Sequence, residues 1–125
     1  MFQMTDLIGE GKYDLAFAKL QELFKMQQEP LAILGAVGGS LRRIGTARTL
    51  MESGKGSGEL QKLCGIPDYP ARKTMEAARR FSAHFCAKAA ELVLEADYAM
   101  KTSFDDSERI LELLVLELAR EARNG

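Results

Sequence analysis

Hydrophobic residues recur along the chain mainly at spacings of three, four and seven, which is the period of amphipathic helices. No window shows the sustained alternation that predicts a strand, and only three prolines interrupt the pattern. Glycines and prolines divide the chain into seven predicted helices, at residues 2–8, 12–27, 29–53, 57–64, 70–80, 82–102 and 105–121. The sequence therefore predicts an all-α fold, a compact bundle of about six to seven helices in a single domain over residues 1–125.

The third predicted helix, residues 29–53, combines an apolar face with an unusual number of glycines. These are Gly35, Gly38, Gly39 and Gly45. A glycine in a helix interior costs roughly 1 kcal/mol relative to alanine. We expect a neighbouring helix to approach closely along this segment and offset that cost. A kink near Gly38 and Gly39 is the alternative.

The last predicted helix is apolar almost all round. Its apolar residues are Ile110, Leu111, Leu113, Leu114, Val115, Leu116 and Leu118. A helix on the surface of a single domain needs only one apolar stripe. This helix is therefore expected either to lie at the centre of the bundle or to keep one face for a partner protein, and we expect some of both.

Composition and charge are those of an ordinary soluble protein, with 46% apolar residues, 28% charged residues and a formal net charge of -1. This balance argues against a general phosphate-binding surface. The chain shows no apolar leader and no apolar run of the roughly 20 residues that a membrane span requires. We expect a cytoplasmic protein with no membrane partner, in which Cys64 and Cys86 are free thiols.

The run Gly-Lys-Gly-Ser-Gly at residues 54–58 looks like a phosphate-binding loop, but its spacing is wrong. A Walker motif that ends at Lys55 needs glycine at position 49 and a hydroxyl residue directly after the lysine. The chain has Thr49 and Gly56 at these positions. The motif also follows a buried strand, whereas residues 41–52 predict a helix. We interpret the run as a flexible link between helices.

No catalytic or metal-binding set is visible in the sequence. His84 is the one histidine, and Phe81, Phe85 and Cys86 lie beside it in the sequence. The acidic residues fall at predicted helix starts or on solvated faces, with no paired carboxylates on an apolar face. We therefore expect no enzyme activity in this chain, no catalytic residue, no cofactor and no metal.

Residues 58–80 form a second feature that points to a function. Two short predicted helices around a glycine turn are followed by basic residues, an arrangement that resembles a helix-turn-helix DNA reader. The basic residues are Arg72, Lys73, Arg79 and Arg80. Gln61 stands where that motif prefers a small residue, and two prolines crowd the second helix. DNA binding through these basic residues is kept as the alternative function.

Four segments taken in order resemble a known family. They are LIGEGKYDLAFAKLQEL, QEPLAILGAVGGSLRRI, LQKLCGIPDYPARKTMEAARRFS and LVLEADYAMKTS with LELLVLEL after it. Together, over roughly residues 2–118, they resemble the C-terminal domain of the delta subunit of bacterial DNA polymerase III. The order and spacing of the four segments carry the resemblance, because no single segment is decisive.

The resemblance implies a role in DNA replication. The delta subunit of that family belongs to the clamp loader, and its C-terminal helical domain packs with the equivalent domains of the other subunits into a pentameric collar. The chain is then expected to be a non-catalytic oligomerisation domain of a longer delta subunit, whose other clamp-loader subunits are its partners. Contact with the sliding clamp would come only through the absent N-terminal region, contact with DNA would be indirect, and the protein would be nucleoid-associated.

The resemblance also assigns residues. Leu31, Ile33, Leu34 and Leu41 match apolar positions of the long third helix, Arg42 matches a recurring arginine, and Asp97 with Lys101 matches a pair on the penultimate helix. The glycines of GAVGGS replace larger residues usual in that helix, so the packing of the helix, or a subunit contact there, is expected to differ. The expected partner interface combines Arg42 with residues of the last helix, namely Leu111, Leu114, Val115 and Leu118.

Overall fold

The structure, a computed structural model, describes residues 2–103 and 106–124, and every regular element within these ranges is a helix. The helices are α1 (Phe2–Gly9), α2 (Tyr13–Lys25), α3 (Pro30–Glu52), α4 (Ser57–Cys64), α5 (Asp68–Ala78), α6 (Ala83–Thr102) and α7 (Ser107–Asn124). The predicted all-α bundle is confirmed. In the described ranges, no helix combines the length and the apolar character needed to cross a membrane.

The helix ends follow local signals in the sequence. Pro30 occupies the first turn of α3, where its missing N–H costs nothing. The Ser82 Oγ accepts a hydrogen bond from the Phe85 N–H at 3.0 Å and thereby caps the N-terminus of α6. Helix α4 ends at Gly65, whose φ of 64° is the left-handed conformation that glycine adopts without strain.

Four predicted boundaries differ from the structure by two residues or more, and one of them is the end of α5, at Ala78 rather than at 80. Helix α5 begins at Asp68, two residues before the predicted start, because Pro67 serves as its N-cap. Helix α2 ends at Lys25 rather than at 27, and α7 continues to Asn124 rather than ending at 121. The predicted first residue of the last helix, Asp105, lies outside the described residues.

Helix α3 is the centre of the bundle. It contacts α6, α5, α1, α4 and α7, while α2 packs on α1 and α7. The largest fully buried side chains come from six of the seven helices, and they include Met4, Ile8, Leu20, Ile33, Leu60, Phe85, Leu111 and Leu118. No polar or charged residue in the described ranges is fully buried, so apolar burial is what holds the helices together.

Helices α3 and α6 approach closely at a glycine. A Cβ added at Gly38 would lie 3.0 Å from the Val93 Cγ1, and one added at Gly45 would lie 4.0 Å from the Cys86 Cβ. The two contacts occur in opposite order along the helices, so α3 and α6 run antiparallel. The expected close approach is confirmed at Gly38, and α3 continues as one helix through this position. Gly35 has no neighbour within 4 Å of its added Cβ.

The glycine contact predicts opposite behaviour for two substitutions in the same helix. Gly35→Ala should raise the free energy of unfolding by about 0.5–1 kcal/mol, because it improves helix propensity and meets open space. Gly38→Ala should raise the free energy of unfolding by less, or should lower it, because the added methyl group must displace the stiff Val93 side chain or shift α6. Urea unfolding of the two variants measures the difference, and equal gains would contradict the close contact.

Tyr13, at the start of α2, carries a covered hydroxyl. Its Oη has no hydrogen-bond partner among the described residues, and burial raises the pKa of this phenol to about 12. The folded state therefore favours the neutral phenol, and ionisation of Tyr13 destabilises the folded state.

This phenol predicts a loss of stability in strong base. The contribution of the neutral Tyr13 phenol to the free energy of unfolding is fully present below pH about 10, the ordinary tyrosine pKa. It is lost as the pH rises to about 12. Tyr13→Phe should remove that part of the pH dependence and leave the stability at neutral pH almost unchanged, because no hydrogen bond is lost. Urea unfolding across this pH range compares the two proteins, and identical pH profiles would show that Tyr13 does not contribute.

Candidate partner interface

Helix α7 buries the four residues that the sequence assigned to a partner. The exposed fractions are 0% for Leu111, 4% for Leu114, 1% for Val115 and 0% for Leu118. These side chains belong to the hydrophobic core and face the interior of the bundle. This corrects the expectation that they form a partner surface, because their apolar area is already covered by the domain itself.

The exposed part of α7 lies on its other side. Leu113 and Leu116 are 44% and 53% exposed, and we call this pair the α7 edge. The exposed residues Arg109 and Arg120 extend the same line, four positions before Leu113 and four after Leu116. The two arginines on this line were the signal in the sequence that could have distinguished the exposed Leu113 and Leu116 from the buried leucines.

Helix α6 carries a second apolar face that the sequence analysis missed. Ala87, Ala90, Leu94 and Tyr98 lie on successive turns, opposite the side that is buried in the core, and all four are exposed. We call them the α6 outer stripe. Leu94 and Tyr98 are 69% and 71% exposed, more than any other large apolar side chain in the described ranges. Large exposed apolar side chains that adjoin one another are typical of a surface that binds another protein.

A concave surface adjoins this stripe. The α3–α6 groove has a volume of about 500 Å³. It is lined by Gly38, Leu41, Arg42, Gly45, Thr46, Thr49, Cys86, Ala90, Val93 and Leu94. Ala90 and Leu94 belong to both surfaces, so groove and stripe are continuous. Val93 and Cys86 of α6, which pack next to Gly38 and Gly45, form part of the floor of the groove.

Arg42 is the one predicted interface residue that the structure leaves accessible. It is exposed on α3 and lines the α3–α6 groove. Cys86 lines the same groove, and burial raises the pKa of its thiol, so the thiol is neutral and acts as a small apolar group. The groove therefore pairs an apolar floor with one cationic side chain.

Two ion pairs of α6 lie near the stripe. The Lys101 Nζ lies 3.1 Å from the Asp97 Oδ2, which confirms the predicted pair, and the Lys88 Nζ lies 3.5 Å from the Glu91 Oε2. Both pairs are exposed and contribute little to stability. Lys101 lies three positions after Tyr98, so it ends the apolar stripe on the same face of the helix.

The four basic residues of the DNA-binding alternative do not form one open surface. The Arg72 Nε donates to the Asp68 Oδ2 at 3.0 Å, and the Lys73 Nζ lies 3.0 Å from the Asp6 Oδ2. The Arg80 Nη1 donates to a backbone oxygen of α1 at 3.1 Å. The hydrogen bond that Lys73 donates to the Asp6 carboxylate raises the pKa of Lys73. Only Arg79 has no such partner in the described structure.

The glycine run joins two helices, as the sequence predicted. Residues 53–56 connect α3 to α4, and Gly54 has a φ of 74°. Lys55 and His84 are both exposed. Across residues 2–103 and 106–124, no group of three or more His, Cys, Asp and Glu side chains is placed to hold a metal ion.

Comparison with known proteins decides the family. The model of the family "DNA polymerase III delta subunit, C-terminal domain" matches residues 1–118. The chain belongs to this family. The resemblance seen in the sequence is thus confirmed over almost the whole chain.

Two relatives of the delta C-terminal domain agree with this. DNA polymerase III subunit delta of Bacillus subtilis (strain 168) is 25% identical over 120 residues, which cover 96% of this chain and 35% of that protein. The solved structure of the Bacillus subtilis DNA clamp loader delta protein superposes with a TM-score of 0.85 at 25% identity, over 95% of this chain and 35% of that one. The chain thus spans about a third of the length of both relatives.

The two sides of α7 predict different effects for the same truncation. Leu111→Ala should lower the free energy of unfolding by about 2–5 kcal/mol, because it leaves a cavity in the core. Leu113→Ala, on the same helix, should cost less than about 1 kcal/mol, because nearly half of that side chain is already in water. Thermal or urea unfolding of both variants gives the comparison, and similar losses would show that Leu113 is not at the edge of the fold.

Proposed function

We propose that this delta C-terminal domain is a non-catalytic assembly domain of a DNA polymerase III clamp loader. In this role it packs against the C-terminal domains of the other clamp-loader subunits in a pentameric collar. The observation that carries the proposal is the α6 outer stripe together with the α3–α6 groove. This continuous surface presents two of the largest exposed apolar side chains of the domain next to a glycine-lined groove.

The chemistry of this surface suits a helix from a neighbouring subunit. Tyr98 and Arg42 are of residue types that often dominate the binding energy of protein interfaces, and Leu94 supplies apolar area between them. The groove beside them is lined largely by small and apolar side chains, among them Ala90, Val93 and Cys86, so a partner helix can pack along it. Burial of the stripe would remove apolar surface from water, which is the main driving force of association.

The α7 edge supplies a second surface. A subunit in a ring meets its two neighbours through two different surfaces, because the contacts are heterologous. Leu113 and Leu116 lie on a different helix from the α6 outer stripe and share no residue with it. We assign one neighbour to the stripe and groove, and the other to the α7 edge.

In this role the domain makes no direct contact with the sliding clamp or with DNA. The chain acts as one assembly unit, residues 1–125, of a longer delta subunit. Contact with the sliding clamp belongs to delta regions outside this chain, and contact with DNA is indirect. The domain acts in the cytoplasm, at the nucleoid.

DNA binding by the α4–α5 region is the weaker candidate. Arg72, Lys73 and Arg79 do border one hollow with Lys55, which favours some affinity for phosphates. Acidic partners already hold Arg72 and Lys73, and Glu76 lies in the same hollow. The net charge of -1 further weakens attraction to DNA.

The assembly role predicts a complex that depends on the α6 outer stripe. Sedimentation velocity should show this chain joining the other clamp-loader subunits at micromolar concentration. The double variant Leu94→Glu with Tyr98→Glu should weaken that binding on the order of tenfold or more, because it places charges where apolar surface becomes buried. The folded state should persist, since both side chains are mostly exposed.

A matched control is available within the chain. Leu63 and Tyr69 are 65% and 59% exposed on α4 and α5, away from the stripe. Leu63→Glu with Tyr69→Glu introduces the same residue types and the same charge, and should leave assembly intact. No complex with the unchanged chain would refute the assembly role, and equal weakening by both double variants would refute the assigned surface.

A further inference from the structure

A second concave surface lies on another part of the domain. A cavity of about 660 Å³ opens between the α1–α2 turn, the α5–α6 turn and the C-terminal end of α7. We call it the basic hollow. It shares no lining residue with the α3–α6 groove. Its volume falls within the roughly 300–1,000 Å³ of typical binding sites.

Cationic side chains dominate the walls of the basic hollow. Lys12, Arg80 and Arg123 line it, and Asp14 is the one acidic residue among its lining residues. A hydrogen bond from Nη1 to the Gly9 oxygen fixes the Arg80 guanidinium. The Lys12 Nζ is 4.0 Å from the Glu10 carboxylate, which is a weak pairing at the surface. The hollow is therefore locally positive in a chain of nearly neutral charge.

Two helices begin at this hollow. Lys12, the N-cap of α2, offers no side-chain hydrogen bond to the first N–H groups of that helix, and residues of its first turn line the cavity. Ser82, the N-cap of α6, lines it as well. The positive ends of both helix dipoles add to the three cationic side chains. Arg123 lies in the last turn of α7, where it offsets the negative end of that helix.

Part of the lining of the hollow is apolar. The Phe81 and Phe85 rings stack with centroids 4.5 Å apart at an interplanar angle of 17°, and both are buried, so they support the hollow from the core. The accessible apolar groups are those of Ala119 and Ala122 on α7, which are half-buried, and of Leu15, which is 55% exposed. Cationic side chains beside these groups fit a ligand that carries carboxylates next to one apolar side chain.

We propose that the basic hollow binds an acidic peptide segment of a partner protein, with one aromatic or leucine side chain against the accessible apolar groups of Leu15, Ala119 and Ala122. The charge complementarity favours carboxylates. The accessible apolar groups favour a peptide over nucleic acid, whose phosphate backbone offers no apolar anchor of this kind. This binding is additional to collar packing, because the two surfaces share no residues.

The test uses defined peptides and isotope-labelled protein. The probe is a short peptide with glutamates on both sides of a single phenylalanine, followed by heteronuclear NMR at low salt. The peptide should bind with micromolar affinity, and the shifted resonances should cluster at the lining residues of the basic hollow. Replacement of the phenylalanine by alanine, or of the glutamates by lysines, should weaken binding about tenfold or more.

Substitutions in the protein locate the site. Lys12→Glu and Arg123→Glu should each weaken binding of the glutamate peptide about tenfold, because they reverse charge at the rim. Lys55→Glu, on the α3–α4 link, reverses an exposed charge elsewhere and should have no effect. Arg80 is left unchanged, because its hydrogen bond to Gly9 joins α1 to the α5–α6 turn.

Two further titrations determine which class of anionic ligand the basic hollow binds. Phenylacetate and a short DNA duplex are titrated under the same conditions. Phenylacetate binding as tightly as the peptide would overturn the peptide proposal in favour of a free organic anion. Tighter binding of the duplex that is lost in Arg123→Glu would overturn it in favour of nucleic acid. Absence of peptide-induced shifts at the hollow would remove it altogether.

Discussion

The close contact between α3 and α6 at Gly38 is the constraint on which the rest of the domain depends. Only a residue without a side chain lets Val93 come so near to the α3 backbone, and this sets the distance between the two longest helices. α3 then reaches most of the other helices, while α6 is held between α3 and α7. The poor helix propensity of the glycine-rich segment is offset by this packing.

The same contact shapes the outer surface. With α6 fixed by its inner face, its second apolar stripe must point to solvent, and the glycines of α3 leave a groove beside it. Exposed apolar area of this kind has a cost in solubility, which the proposed collar neighbour would offset by covering the stripe. The exposed ion pairs Lys88–Glu91 and Asp97–Lys101 border the stripe.

The elements were more predictable than the surfaces. Pro30, Ser82 and Gly65 mark helix ends through local geometry, and the predicted boundaries there agree with the structure to within one residue. The start of α5 was missed because Pro67 could be read as part of a turn rather than as an N-cap. The four α7 residues that the sequence assigned to a partner are buried in the core, and the sequence did not show this because a helix with leucines nearly all round does not reveal which side faces the core.

The sequence by itself determined the all-α class, the order of the helices and the family, because these depend on periodicity, capping residues and the spacing of short segments. It also excluded a Walker loop at residues 54–58, because that motif requires fixed positions. Only the tertiary structure decided that Leu111 is core while Leu113 is surface, and that Leu94 lines a groove together with Arg42. The same holds for the basic hollow, which brings together Lys12, Arg80 and Arg123 from distant parts of the chain. Such groupings depend on how helices pack against one another, and no local pattern in the sequence records that packing.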